Sequence, residues 1–183
     1  MDALLHSEMI SLTSITEADL PILLQWYRDT EFLRLFDALP ASPRTESSLK
    51  EWIKHTTDSH NGYLFGIRRN TDQQLLGFVE LDRILWNHRV CGLAIAIGDK
   101  DHRGKGLGQH ALELVLTFVF DELNLHRVQL TVFDYNTRAI KLYEKLGFKH
   151  EGRYRDFIQR NGERYDMHLY GLLQHEWEKS ISN

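Results

Sequence analysis

The chain has 183 residues, which is the length of one domain with room for a substantial buried core. Its formal net charge of −4 argues against a nucleic-acid-binding scaffold, whose surface would be basic. The single cysteine, Cys91, excludes an intramolecular disulfide and is typical of a reducing compartment, so we expect a cytoplasmic protein. We expect no secretory signal in residues 1–6, and every apolar run is too short to span a membrane.

The first third of the chain predicts one strand and two helices. Residues 10–15 favour a strand, and Thr16 follows as a candidate N-cap of a helix with acidic residues in its first turn. A proline-containing loop covers residues 39–43. Residues 45–55 then carry apolar side chains at helical spacing, which predicts the second helix.

Three strands are predicted next. Residues 62–69 and 75–85 are separated by a polar turn at 70–73, as in a hairpin. Residues 90–97 form an almost continuous apolar run, which is typical of a central strand that is buried on both faces.

The most informative segment follows this third strand. In residues 103–108, alternating glycines lie between a strand and a long helical pattern, next to the cations Arg103 and Lys105. Such an arrangement offers backbone N–H groups to a phosphate at a helix N-terminus, and the two cations add favourable charge. The sequence therefore predicts a site for a phosphorylated ligand.

Two common phosphate motifs fit this segment poorly. The P-loop requires Ser or Thr after its lysine, but Gly106 follows Lys105. The dinucleotide fingerprint fits only from Gly106, with Ala111 as its last residue, and it lies past the middle of the chain instead of opening the first strand–helix–strand unit. A nucleotide-binding oxidoreductase is therefore a disfavoured alternative.

The last third predicts a strand, a short helix and a hairpin. Residues 128–133 favour a strand, and Asn136 is a candidate N-cap for the helix after it. Residues 149–159 and 164–172 are two further strands around an Asn-Gly turn, which is a strong hairpin signal. Together the elements predict an α/β fold, with a mixed sheet and helices on its faces.

Two segments in register resemble the GNAT family of N-acetyltransferases. They are Arg103-x-x-Gly106-x-Gly108 after a strand, and Asn136-x-x-Ala139-x-x-Leu142-Tyr143-x-x-x-Gly147-Phe148. The wider chain is similar to the RimJ/RimL-like branch, which contains ribosomal-protein and diamine acetyltransferases. The resemblance implies one domain over residues 1–183. Its sheet would be mixed and mostly antiparallel, with about seven strands, about four flanking helices, and a splay between strands four and five.

The resemblance also implies acetyl-CoA as a co-substrate. Backbone groups of the glycine segment would hold its pyrophosphate, namely those of Arg103, Gly104, Lys105, Gly106, Leu107 and Gly108. Main-chain groups of Ile95, Ala96 and Ile97 would pair with the pantetheine arm, and Asn136 would contact the same arm or a bound water. The histidines are scattered without metal-ligand spacing, so we expect no metal.

Two residues are candidates for the chemistry. Tyr143 occupies the position where this family places a general acid for the leaving thiolate, although a tyrosine on an apolar helix face is also typical of core packing. A protonated amine cannot attack a thioester, so a base or a water chain must remove its proton. Glu80, a carboxylate in an otherwise apolar strand, is the candidate base. Asp134 and Glu151 are further candidates that are more typical of surface charges.

The acceptor is a primary amine whose identity the sequence leaves open: a protein N-terminus, a polyamine, an amino sugar or an antibiotic. The resemblance favours a protein N-terminus. A polyamine would require an acidic cleft, which a net charge of −4 does not decide. A non-catalytic acyl-CoA-binding or sensing module is an alternative of another class. We expect no nucleic-acid or membrane partner, and the resemblance allows a homodimer.

Overall fold

The computed structural model describes residues 4–181, so the first three and the last two residues of the predicted domain 1–183 lie outside the described residues. The strands are β1 Ile10–Ser14, β2 Tyr63–Arg69, β3 Leu75–Leu85, β4 Val90–Ile97, β5 Arg127–Phe133, β6 Lys149–Arg160 and β7 Glu163–Leu173. The helices are α1 Leu20–Trp26, α2 Thr30–Phe36, α3 Glu46–Asp58, α4 Leu107–Thr117, α5 Thr137–Lys145 and α6 Gln174–Ile181. Every predicted strand and helix is found.

The seven strands form one sheet in the order β1-β2-β3-β4-β5-β7-β6. All neighbours are antiparallel except β4 and β5, which are parallel, so the predicted mixed and mostly antiparallel sheet is confirmed. The strands β4 and β5 pair only over Val90–Gly92 and Arg127–Gln129, at their first residues. Beyond these residues they diverge, which confirms the predicted splay.

Apolar clusters lie on both faces of the sheet and hold the helices in place. On one face α4 packs through fully buried residues such as Leu112 and Val115. On the other face α1, α2 and α3 pack around Phe78 of β3, whose ring lies edge-on to the rings of Phe36 and Trp52. Since adjacent side chains of a strand point to opposite faces, β3 contributes apolar side chains to both clusters.

Two helices were not predicted. The helix α2 has fewer than two turns, and Asp29 caps it by accepting a hydrogen bond from the Glu31 amide at 2.9 Å. Its stability comes from the packing of Phe32 against Trp26 and Tyr27, because isolated helices of this length are unstable in water. The helix α6 continues directly from β7. Within residues 4–181 no helix is long and apolar enough to cross a lipid bilayer.

Candidate active site

A cavity of about 710 Å³ opens where β4 and β5 diverge. Its walls include Leu93–Ile97 of β4 and Leu130–Phe133 of β5. The helix α2 contributes Phe32 and Phe36 from one side, and the first turns of α4 and α5 lie at the other. The cavity therefore joins the predicted phosphate loop to the centre of the sheet.

The edge of β4 along this cavity is free for an added strand. Ile95, Ala96 and Ile97 pair with β3 on one side. On the other side the pairing with β5 stops at Gly92 in the described part of the chain, so the later N–H and C=O groups of β4 that do not bond to β3 face the cavity. Such an edge suits an extended arm that carries amide groups of its own.

The glycine segment forms an anion cradle beside that edge. Gly104 and Gly106 have φ angles of 78° and 81°, a conformation that favours glycine, and Gly106 is the N-cap of α4. The backbone N–H groups of Gly104, Lys105 and Gly106 donate to none of the described residues. The first N–H groups of α4, including those of Leu107 and Gly108, have no acceptor within the helix. Consecutive free amides at a helix N-terminus bind phosphate.

The side chain of Arg103 bonds to groups of the protein itself. Its Nε donates to the Ile97 carbonyl at 3.2 Å, its Nη2 donates to the Gly98 carbonyl at 3.2 Å, and its Nη1 lies 3.3 Å from Glu31 Oε1. These contacts turn the guanidinium toward β4 and α2, and the charge-assisted contact of this side chain with phosphate stays a prediction. Only 11% of the side chain is exposed. Lys105 is the exposed cation of the segment.

Asn136 and Tyr143 of the second segment reach the same cavity. Asn136 caps α5, since its Oδ1 accepts a hydrogen bond from the Ala139 amide at 3.3 Å. Tyr143 is 6% exposed, and its ring packs edge-on against Phe148. Burial raises the pKa of the Tyr143 phenol well above its usual value, so the hydroxyl stays protonated and can donate.

Glu80 lies apart from this group. It is half-buried on β3 opposite Ala94 and accepts hydrogen bonds of 3.4 Å from Trp52 Nε1 and Thr56 Oγ1 of α3. Burial raises the pKa of Glu80, and the two hydrogen bonds oppose that rise. Among the described residues that line the cavity, Glu80 is absent. The structure thus brings Tyr143, the β4 edge and the glycine segment together without Glu80.

Comparison with known proteins decides the family. Residues 10–149 match the family model of the acetyltransferase (GNAT) domain, which is well over half of the chain. The chain belongs to the GNAT acetyltransferase family. It is an N-acetyltransferase, as the sequence motifs predicted.

Relatives of this GNAT chain include enzymes with named acceptors. It is 31% identical over 150 residues to the SPbeta prophage-derived uncharacterized N-acetyltransferase YokL of Bacillus subtilis, covering 82% of each chain. It is 33% identical over 108 residues to the spermidine N(1)-acetyltransferase of Vibrio cholerae, covering 59% of this chain and 62% of that one. The crystal structure of spermidine N-acetyltransferase from Vibrio cholerae in complex with CoA and spermine matches with a TM-score of 0.84 and 26% identity, over 94% of this chain and 99% of that chain.

Four charged residues of the GNAT cavity were missed or undervalued by sequence reasoning. They are Asp82, Arg83, Arg127 and Glu151. Asp82 lies two residues after Glu80 on the same face of β3, so strand alternation alone could have found it. Arg83 carries no such signal, since strand alternation predicts the opposite face for it. Asp134, the other candidate base, accepts a hydrogen bond from the Asp166 amide at 3.1 Å and does not line the cavity.

Proposed function

We propose that this GNAT enzyme transfers the acetyl group of acetyl-CoA directly to a primary amine. The observation that carries the proposal is the free edge of β4 over Leu93–Ile97, which lies next to the anion cradle of the glycine segment. One continuous wall thus offers hydrogen bonds to an amide-bearing arm and amides to a pyrophosphate. The related Vibrio cholerae enzyme in complex with CoA supports this choice of donor.

Different residues would hold different parts of acetyl-CoA. Backbone amides from Gly104 to Gly108 hold the pyrophosphate. Main-chain groups of Ile95–Ile97 and the side chain of Asn136 hold the pantetheine arm. The thioester would then lie where β4 and β5 begin to part.

Tyr143 would complete the transfer. The amine nitrogen attacks the thioester carbonyl, the new C–N bond forms as the C–S bond breaks, and the sulfur leaves as a thiolate. Tyr143 lines the cavity and holds its proton because burial raises its pKa, so it can protonate that thiolate. Before the attack the ammonium passes one proton to a base or to a water chain that leads to solvent. Glu80 is the predicted base, and because its carboxylate lies outside the cavity lining, a water chain would have to connect it to the amine.

A polyamine is the second candidate acceptor. Spermidine acetyltransferases are among the relatives, and Glu31, Asp82 and Glu151 are carboxylates of the cavity wall. A protein N-terminus, the acceptor that the family resemblance favours, uses the same chemistry. The homodimer and the cytoplasmic location stay predictions from the resemblance and the sequence.

The proposal is tested by incubating the purified protein with acetyl-CoA and a panel of amines and N-terminal peptides. We expect free CoA thiol to appear with at least one primary amine and not with the corresponding alcohol. Affinity for acetyl-CoA is measured in parallel by calorimetry. Tight binding of acetyl-CoA without thiol release for any amine would favour the sensing module over the enzyme.

A further inference from the structure

A bulge in β3 places two consecutive charged residues on the cavity wall. The register between β3 and β4 shifts between Asp82 and Leu85, and Arg83 within this stretch has a φ angle of 48°. A residue other than glycine rarely adopts such an angle, and strain of this kind is concentrated at functional sites. In a regular strand Asp82 and Arg83 would point to opposite faces, yet both line the cavity here.

The two side chains form an ion pair that lies over a glycine. Arg83 Nε donates to Asp82 Oδ2 at 3.0 Å, and 77% of the Arg83 side chain is exposed. Gly92 of β4 is the register partner of Asp82. A Cβ atom at Gly92 would lie 1.9 Å from Asp82 Oδ1 and 3.1 Å from Arg83 Nη2. Because Gly92 has no side chain, the space above it is left for the ion pair.

A second ion pair repeats this arrangement two strands away. Arg127 Nη1 donates to Glu151 Oε1 at 2.7 Å, and Nη2 contacts the other carboxylate oxygen. A Cβ atom at Gly171 would lie 2.5 Å from Glu151 Oε1 and 2.7 Å from Arg127 Nη1. Gln129 lies between the two pairs, since its register partners are Gly92 and Gly171. We call these four charged residues with Gln129 the charged floor.

The charged floor lies where β4 and β5 still pair, on the other side of the parting point from the β4 edge that we assign to the donor arm. We therefore assign it to the acceptor. The two carboxylates and two guanidinium groups of the floor balance to zero formal charge. The ammonium groups of a polyamine would be attracted by the carboxylates of Asp82 and Glu151. They would be repelled by the guanidinium groups of Arg83 and Arg127. An acceptor that carries both an amine and an acidic group finds a group of opposite charge for each of them.

We infer that the acceptor carries an acidic group beside its amine, as in an acidic peptide, and that Arg83 is a specificity-determining residue. This inference rests on the proposed acetyl transfer. Arg83 is the more available cation, because Glu151 engages both terminal nitrogens of Arg127. The carboxylate of the acceptor would therefore bind at Arg83, whose side chain is largely exposed.

The test uses two C-terminally amidated tripeptides, Ala-Glu-Ala and Ala-Gln-Ala, which differ by one charge, together with spermidine. For the wild type we expect kcat/KM for the Glu peptide to exceed that for the Gln peptide about fivefold, the size of one exposed ion pair. Arg83→Asn, chosen because Asn tolerates positive φ, should bring this ratio to about one, and Arg83→Lys should keep most of it. Asp82→Asn should raise the ratio, since it removes the carboxylate that competes for Arg83.

Each ratio is taken within one variant, so a loss of folded protein lowers both numbers equally. Arg28→Asn, at an exposed residue outside the cavity lining, is the matched control and should keep the wild-type ratio. A wild-type ratio near one, or an Arg83→Asn ratio equal to that of the wild type, would overturn the inference. So would a higher kcat/KM for spermidine than for the Glu peptide, although the proposed acetyl transfer would then stand. No thiol release with any amine would overturn both.

Discussion

The donor side and the acceptor side of the cavity are formed by different kinds of chemical groups. The donor side consists mainly of main-chain groups: the free edge of β4, the glycine segment and the first turns of two helices. The acceptor side consists of side chains on a short helix, a bulged strand and the irregular β6, whose register with β7 shifts twice. Main-chain recognition needs only the right backbone path, whereas side-chain recognition needs particular residues at particular places. A short motif therefore identifies the donor but not the acceptor.

The helix α2 connects the two sides. At its N-terminal end Glu31 pairs with Lys100 at 2.7 Å and with Arg103 at 3.3 Å, next to the anion cradle. At its C-terminal end the Tyr135 hydroxyl donates to the Arg34 carbonyl at 2.5 Å, and Arg34 also donates to Asn161 at the tip of the β6–β7 hairpin. The wall of the acceptor side is thus attached to the donor loop.

The largest expected effect comes from changing the backbone path of the donor side. Gly106→Val places a β-branched residue at a φ angle of 81°, so the segment must relax and its amides move away from the phosphate. Loss of two hydrogen bonds to a charged group, at about 1.5–3 kcal/mol each, should lower acetyl-CoA affinity at least about 100-fold. Isothermal titration calorimetry measures this change.

Gly162→Val is the matched control for that experiment. Gly162 has a φ angle of 86° with open space around it, and it lies in the β6–β7 turn outside the cavity lining. The same backbone strain should therefore leave acetyl-CoA affinity near that of the wild type. Equal losses of affinity in both variants would mean that strain, and not the cradle, is responsible.

A smaller effect is expected where the donor side does depend on a side chain. Tyr143→Phe should lower kcat about 100-fold, the usual contribution of a general acid, with acetyl-CoA affinity unchanged. An acid loses its function as the pH rises through its pKa, and burial moves the pKa of Tyr143 upward. The wild-type kcat should therefore show no loss from this group between pH 7 and its ordinary value of 10.0.

Tyr165→Phe serves as the control for Tyr143→Phe. Tyr165 is outside the cavity lining, and its hydroxyl donates to Glu163 at 2.9 Å. We expect its kcat to stay close to that of the wild type. If Tyr143→Phe also retains the wild-type kcat, Tyr143 is a packing residue, as its burial alone would predict.

Sequence reasoning succeeded where local chemistry decides the structure. Alternating glycines before an apolar helix, and an asparagine at the start of the next helix, specify backbone paths through nearby residues alone. It missed Arg83, because a bulge in β3 depends on pairing with β4 and reverses the expected alternation. It missed α2 because a seven-residue helix is stabilised by packing of Phe32 and Phe36 and not by its own hydrogen bonds. The sequence could not show the hydrogen-bond partners of Glu80, because α3 supplies them from another part of the chain, and the role of Glu80 as a base stays a prediction.

The smallest expected effect tests whether Glu80 belongs to either side of the cavity. A general base contributes about 100-fold or more, so Glu80→Gln would lower kcat by that amount if Glu80 acted as one. We expect a loss below about threefold.

The substitution Glu80→Gln should instead change the stability of the folded protein. Burial raises the pKa of Glu80 in the folded state, so folding is favoured when this carboxyl is protonated, and that advantage is lost as the pH rises from its ordinary value of 4.5 through the folded pKa. Gln carries no charge to desolvate, so Glu80→Gln should have the higher Tm at pH 7, and the difference should shrink toward pH 4. Glu51→Gln, on the exposed face of α3, controls for the loss of one carboxylate. A 100-fold loss of kcat in Glu80→Gln with an unchanged Tm would identify Glu80 as the general base.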